Sequence, residues 1–66
     1  MSITLNGNDH TLDSKSTVSD LLSSIGLGDK PVIVEHNHNA ILPQNFAKTE
    51  IKDGDKIEIV ALAAGG

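Results

Sequence analysis

The chain has 66 residues, with five lysines, no arginine, nine carboxylate side chains, no cysteine and a net charge of −4. This length predicts one domain, close to the lower size limit for an independent core. The absence of cysteine excludes disulfides and thiolate metal ligands. The negative charge and a single aromatic residue, Phe46, argue against nucleic-acid binding.

The sequence also argues against a membrane or secreted protein, and against an enzyme. The longest apolar run, residues 59–64, is too short to span a bilayer, and the first four residues lack the basic start of a secretory signal. We therefore expect a cytoplasmic protein. A substrate pocket of about 300–1,000 Å³ is hard to enclose in so small a domain. A carrier or binding module is the favoured class.

The chain opens with the pattern of a β-hairpin. Apolar and polar residues alternate over residues 2–6, which places Ile3 and Leu5 on one face of a strand. The Asn6-Gly7 pair that follows is a strong signal for a two-residue turn. A second strand is expected at about residues 10–13, with Leu12 facing inward.

A short helix is predicted next. Thr17 or Ser16 can cap its N-terminus, and Gly26 suits the left-handed position that ends it. Apolar residues recur at the spacing of one helical face: Val18, Leu21, Leu22 and Ile25. A helix of two to three turns is unstable alone, so it must pack on a sheet.

Two further strands and a short extended piece that begins at Ile41-Leu42 are predicted in the second half. The apolar run in Val32–His36 indicates a strand that is covered on both faces, at least in part. Pro43 suits the start of a helical turn that carries Phe46 into the open end of the core. The Asp53-Gly54-Asp55 turn then leads into a final strand over residues 56–62.

These elements predict an α+β fold, with one main helix packed across a mixed sheet of four to five strands. If the first and last strands pair in parallel, the fold is a β-grasp, or ubiquitin-like, roll. We predict a domain over residues 1–62 and a flexible tail over residues 63–66. The expected core consists of Ile3, Leu5, Leu12, Val18, Leu21, Leu22, Ile25, Phe46, Ile57 and Ile59, with little else available.

The chain ends in Gly65-Gly66, a pair expected by chance in only about 0.5% of chains. Without side chains, the last two residues can thread a narrow channel and expose the terminal carbonyl. Four residues beyond the last strand also reach roughly 13–14 Å when extended. The alternative is an inert tail, since chain ends are often small and polar.

Residues near the tail are candidates for contacts with a partner. Val60 and Leu62 alternate with the core residues of the last strand, and they can either dock on a partner or cover the sheet edge. Asp55 and Glu58 can meet basic residues of a partner, although turn chemistry also explains Asp55. The small Ala64 and Gly65 would allow the tail to thread into an active site, where Gly66 is the reacting residue.

The sequence predicts no metal site, no bound cofactor and no catalytic residue. His36 and His38 stand two residues apart, but two imidazoles without a further ligand are a weak metal signal. The serines cluster at the helix and its flanks, where capping explains them.

Several segments together resemble the ThiS family, the ubiquitin-like sulfur carriers of thiamin thiazole synthesis. The resemblance rests on the helix start at residues 17–22, the segments Val34-Glu35-His36-Asn37 and Ile41-Leu42-Pro43, Phe46, Thr49, residues 53–60 and Gly65-Gly66. It covers essentially the whole chain. The Asp-Gly-Asp turn, the last strand and the diglycine end are shared with the small subunit of molybdopterin synthase.

The resemblance implies a reaction cycle at the C-terminus. A ThiF-like adenylyltransferase would use ATP-Mg to adenylate Gly66. Sulfur from a protein persulfide, supplied by a cysteine desulfurase, would replace AMP and leave a thiocarboxylate. Thiazole synthase would then accept the sulfur. Sulfur transfer in another pathway, a ubiquitin-like modifier that joins lysine, and an interaction domain with an inert tail are the alternatives.

Overall fold

Within residues 1–62, the part of the chain that the computed structural model describes, the fold consists of seven strands, one α-helix and one 3-10 helix. The strands are β1 (Ser2–Leu5), β2 (Asn8–Thr11), β3 (Ser16–Thr17), β4 (Val32–His36), β5 (Asn39–Ile41), β6 (Glu50–Ile51) and β7 (Lys56–Ala61). Helix α1 is Val18–Ser24, and the 3-10 helix is Pro43–Lys48. The residues of the predicted tail, 63–66, lie outside the described part, so its flexibility stays a prediction.

Five of the strands form one mixed sheet in the order β2-β1-β7-β4-β5. The first and last strands, β1 and β7, pair in parallel at its centre, while the other pairs are antiparallel. The short strands β3 and β6 form a separate two-stranded sheet. This is the predicted β-grasp architecture.

The β1–β2 hairpin turns at Asn6 and Gly7, as predicted. Both residues have positive φ, 50° and 84°, and Leu5 pairs with Asn8 across the turn. Because the loop has only two residues, β2 begins at Asn8 rather than near His10. The predicted second strand was therefore placed about two residues too late.

Both ends of α1 are capped as its sequence indicates. The Thr17 hydroxyl accepts a hydrogen bond from the Asp20 N–H, and the Asp20 carboxylate accepts one from the Thr17 N–H. At the other end, Gly26 has φ of 81°, and the Leu27 N–H donates to the Leu22 carbonyl at 2.8 Å. Thr17, and not Ser16, is the cap.

The core lies between α1 and one face of the large sheet. Its buried members are Ile3, Leu12, Val18, Leu21, Leu22, Val32, Val34, Ile51, Ile57 and Ile59, and Leu5, Ile25, Leu27 and Phe46 pack against them partly buried. The expected core was therefore incomplete, because it lacked Val32, Val34 and Ile51. On β4 only the inner face is fully covered, since Ile33 between the two buried valines is 49% exposed.

The other face of the sheet is open within the described residues, where α1 covers only one side. Alternate residues of β4 and β7 point to this open face, among them Ile33 and Val60. No helix in residues 1–62 combines the length and the apolar character needed to cross a bilayer.

Candidate functional site

An exposed apolar patch lies on the open face, close to where the described chain ends. Val60 is 59% exposed, Leu62 47% and Ile33 49%. Ile33 and Val60 are paired in register on the neighbouring strands β4 and β7, so their side chains stand side by side. We call these three residues the open-face patch. The outward position predicted for Val60 and Leu62 is confirmed, and Ile33 is a member that the sequence did not reveal.

The backbone ladder between β4 and β7 continues beyond β7. The Leu62 N–H donates to the Pro31 carbonyl at 2.9 Å. This bond fixes the direction of the chain at Leu62, the last described residue. Gly66, which is predicted to react, and Ala64 and Gly65, which are predicted to thread into an active site, lie outside the described part of the chain.

The acidic residues predicted to meet a partner do not share one face. Glu58 is exposed on the open face, where it pairs in register with Glu35 of β4. Like charges directly opposite each other repel, so a cation from a partner would relieve this repulsion. Asp55 instead bonds to groups within the chain. Binding to a partner through either residue stays a prediction.

Asp55 links the end of β4 to the turn that precedes β7. One carboxylate oxygen accepts hydrogen bonds from His36 Nε2 at 2.6 Å and from the Lys52 N–H at 2.8 Å. The other accepts from Asn37 Nδ2 at 3.1 Å. The Asn37 side-chain oxygen in turn accepts from the Lys56 N–H at 2.8 Å. The predicted turn role of Asp55 is confirmed, while its contact with His36 across 19 positions was not predicted.

Asn6 has a second role that its turn signal did not indicate. Its side-chain oxygen accepts from the Ile59 N–H at 2.7 Å, and its Nδ2 donates to the Ile59 carbonyl at 3.2 Å. The amide therefore continues the parallel ladder beyond the end of β1. This contact holds β7 in place one residue before Val60.

Comparison with known proteins identifies the family. Residues 3–66 match the model of the ThiS family. The chain belongs to the ThiS family. The match covers nearly the whole sequence and reaches the last glycine, and it confirms the resemblance that the sequence motifs indicated.

Individual relatives and a solved structure agree with this membership. Over 50 residues the chain is 44% identical to the sulfur carrier protein ThiS of Bacillus subtilis, covering 76% of each chain. The crystal structure of a thiamine biosynthesis protein (ThiS) from Geobacter metallireducens superposes with a TM-score of 0.85 at 33% identity, over 100% of both chains. This ThiS-family chain therefore has the family's fold.

A third relative is much longer than the ThiS-family chain. The thiazole synthase of Paramagnetospirillum magneticum is 35% identical over 66 residues, which is 100% of this chain. The chain spans only 20% of the length of that thiazole synthase, and of the similar one from Magnetococcus marinus.

Within residues 1–62, no three metal-ligating side chains lie together as a candidate metal centre. His36 is paired with Asp55. His38, in contrast, lies in the β4–β5 turn with φ of 70°. The two histidines therefore lie in different surroundings: His36 contacts the Asp55 carboxylate, and His38 occupies a turn.

The Asp55 contacts make the stability of the fold depend on pH. Burial raises the pKa of Asp55, but the hydrogen bonds from His36, Lys52 and Asn37 outweigh it and hold the pKa below its usual value. A carboxyl whose folded pKa is depressed stabilises the fold above its unfolded pKa of about 4, and this contribution is lost as pH falls through the folded value.

Asp55→Asn is expected to be less stable than the parent at pH 6, with the difference shrinking as pH falls below about 4. The parent then loses its own carboxylate charge. Urea unfolding followed by circular dichroism at a series of pH values measures both midpoints. Asp29→Asn, on an exposed loop, removes the same charge and serves as the control. An equal and parallel loss of stability in both variants would contradict the role of the Asp55 contacts.

Proposed function

We propose that this chain is a sulfur carrier of thiamin biosynthesis whose terminal Gly66 carboxylate becomes a thiocarboxylate. The observation that carries the proposal is the extent of the family match, which includes Gly65 and Gly66 at its end. A diglycine end suits a function at the terminal carboxylate, because two residues without side chains can enter a narrow channel.

The names of the relatives support the pathway. The similar Bacillus subtilis protein is named a sulfur carrier. The thiazole synthase of Paramagnetospirillum magneticum contains a region similar to the whole of this chain. The presence of both parts in one polypeptide supports thiazole synthase as the protein that receives the sulfur.

The proposed chemistry begins with activation. A carboxylate is a poor electrophile, because its oxygen is a poor leaving group. A ThiF-like adenylyltransferase joins the Gly66 carboxylate to the α-phosphorus of ATP-Mg, and pyrophosphate leaves. The acyl carbon of the resulting adenylate has AMP as a good leaving group.

Sulfur then replaces AMP. The terminal sulfur of a protein persulfide, charged by a cysteine desulfurase, attacks the acyl carbon and gives an acyl disulfide. A thiol reduces the S–S bond, which releases the thiocarboxylate and leaves a disulfide on the donor. These steps fit the cytoplasm, where thiols are kept reduced. The chain itself carries no cysteine that would compete for the acyl group, and it serves as a co-substrate and not as an enzyme.

Intact mass spectrometry tests this function directly. The purified chain is incubated with an adenylyltransferase of the ThiF type, ATP-Mg, a cysteine desulfurase and cysteine. We expect a mass increase equal to the replacement of one oxygen by sulfur, located by fragmentation at Gly66. Adducts on lysine would instead indicate a protein modifier, and an unchanged mass with every such enzyme would contradict the proposal.

We also propose that the open-face patch docks on the adenylyltransferase. A tail that enters an active site loses conformational freedom, and this cost must be offset by contacts elsewhere. Ile33, Val60 and Leu62 are exposed, apolar and adjacent to the point where the tail begins. Glu58 and Glu35 beside them favour a partner surface with a basic residue.

Val60→Glu is expected to weaken binding to the adenylyltransferase by about tenfold or more, because it places a charge in a desolvated contact. Gln44→Glu, an exposed change on the 3-10 helix, adds the same charge away from the patch and should leave affinity nearly unchanged. Isothermal titration calorimetry compares the two. Equal affinity of Val60→Glu and the parent would exclude the patch as the docking site.

A further inference from the structure

A second surface lies at the β2 edge of the large sheet, on the face that α1 covers. A groove of about 360 Å³ runs between the outer strand β2 and helix α1. Its apolar lining comes from Leu12, Leu21 and Ile25, and its acidic lining residues are Asp13 and Asp20. We call it the edge groove. It takes no part in the sulfur chemistry proposed above.

The outer edge of β2 offers backbone hydrogen-bonding groups beside this groove. Leu12 and Met1 exchange two backbone bonds, of 2.7 and 2.9 Å, so Leu12 points its N–H and C=O toward β1. In an antiparallel pair this direction alternates along the strand. The N–H and C=O of Asp9 and Thr11 therefore point away from β1. No further strand of the large sheet lies on that side within residues 1–62.

The groove and the edge together match an extended peptide. Successive side chains of an added strand would point alternately to the two faces of the sheet. Side chains on the inner face would enter the groove against Leu12 and Ile25. Side chains on the outer face would lie beside Asp9, which pairs in register with Thr4 of β1. The site therefore favours a peptide with apolar side chains on one face and basic side chains on the other.

We propose that the edge groove binds an extended basic segment of a partner protein, which adds to β2 as a sixth strand of the sheet. The charges select this occupant. The charged groups lining the groove are Asp13 and Asp20, with His10 beside them and no lysine. Asp9 adds a third carboxylate, on strand β2 itself.

The same charges disfavour the two other occupants that the chain could supply. Residues 63–66 carry no basic side chain, so they lack the charge that an acidic groove favours. A second copy pairing through its own β2 would bring Asp9 and Asp13 of both copies together, and each copy has a net charge of −4. The opposite edge strand β5 has no charged side chain to select a basic peptide.

This site can be occupied while the tail is engaged elsewhere. The edge groove lies on the face that α1 covers, whereas the open-face patch lies on the other face, on β7 and β4, with β1 between β2 and β7. A partner on the edge groove could therefore hold the carrier while another enzyme processes Gly66. The proposal for the edge groove does not depend on the proposed sulfur chemistry, so an experiment that disproves one proposal does not disprove the other.

Nuclear magnetic resonance titration of the full 15N-labelled chain tests the site with a defined probe. The probe is a blocked hexapeptide in which lysine and valine alternate. We expect the largest amide shifts at Asp9, Thr11 and Ile25. A block peptide of three lysines followed by three valines has the same charge and composition but no alternation, and it should bind about fivefold more weakly. A probe N-methylated at alternate amides should not produce the Asp9 and Thr11 shifts.

Variants of the chain separate pairing from general charge attraction. Asp9→Lys should weaken the alternating probe about fivefold, because an exposed attraction is replaced by repulsion. Asp29→Lys makes the same charge change in the loop after α1, outside the lining of the edge groove, and should have a smaller effect. The proposal is overturned if the block peptide binds as tightly as the alternating one, or if the largest shifts fall on Ile33 and Val60. It is also overturned if the chain without peptide shows concentration-dependent shifts at Asp9 and Thr11, because these would indicate that a second copy binds there.

Discussion

Deletion of Gly66 is expected to lower the rate of thiocarboxylate formation by at least about 100-fold, because a displacement of about 1 Å of a reacting group can cost that much. The deletion moves the terminal carboxylate back by one residue, roughly 3.3–3.6 Å along an extended chain. The ThiF-like enzyme would then hold the carboxylate away from ATP. Intact mass spectrometry after incubation with enzyme, ATP-Mg and a sulfur source measures the converted fraction over time.

Deletion of Ala63 is the matched control, since it shortens the chain by one residue and keeps Gly65-Gly66. Residual activity in this variant, together with none in the Gly66 deletion, would show that the diglycine end matters beyond tail length. Neither deletion should change the urea midpoint, because terminal residues contribute little to stability. Conversion of the Gly66 deletion at the parent rate would refute activation at this terminus.

Local signals predicted much of the fold. The Asn6-Gly7 turn, the Thr17 cap with Asp20 and the terminating Gly26 all depend on residues within a few positions of each other, and each has the predicted role. Such features need no knowledge of distant strands. These signals mark the ends of the first hairpin and of the helix. The α+β class follows from the order of these elements along the chain.

Features that depend on strand pairing were not predictable in the same way. The run from Val32 to Val34 is equally consistent with a strand covered on one face or on both, and only its neighbours in the sheet decide that Ile33 is exposed. Ile51 stands alone between polar residues in a two-residue strand, without any periodicity to mark it. The parallel pairing of β1 and β7 required the resemblance, since periodicity does not encode strand order.

In the candidate site, too, local signals predicted some residues, and strand pairing brings in the others. Val60 and Leu62 were predictable because alternation along one strand sets their direction. Ile33 and Glu35 join the site through the register of β4 on β7. The pairing of His36 with Asp55 likewise arises only when the end of β4 meets the turn before β7. Because Asp55 is bonded to His36, it does not form the expected acidic surface together with Glu58.

Ile57→Ala is expected to destabilise the fold by about 2–5 kcal/mol, the usual cost of truncating a buried isoleucine to alanine. Ile57 is fully buried, on the central strand β7, and pairs in register with Leu5 of β1 and His36 of β4. A domain of this size has a free energy of unfolding of about 3–10 kcal/mol. The variant should therefore lose most of its stability, measured by urea unfolding at pH 7.

Val60→Ala is the matched control, because it shortens a side chain on the same strand that points to the open face. Its cost should stay below about 1 kcal/mol, since solvent already occupies the space around it. The two variants separate the two faces of β7: the inner face holds the fold and the outer face is free for a partner. If Val60→Ala proved as destabilising as Ile57→Ala, Val60 would be a structural residue of a covered face, and the docking role of the open-face patch would fall with it.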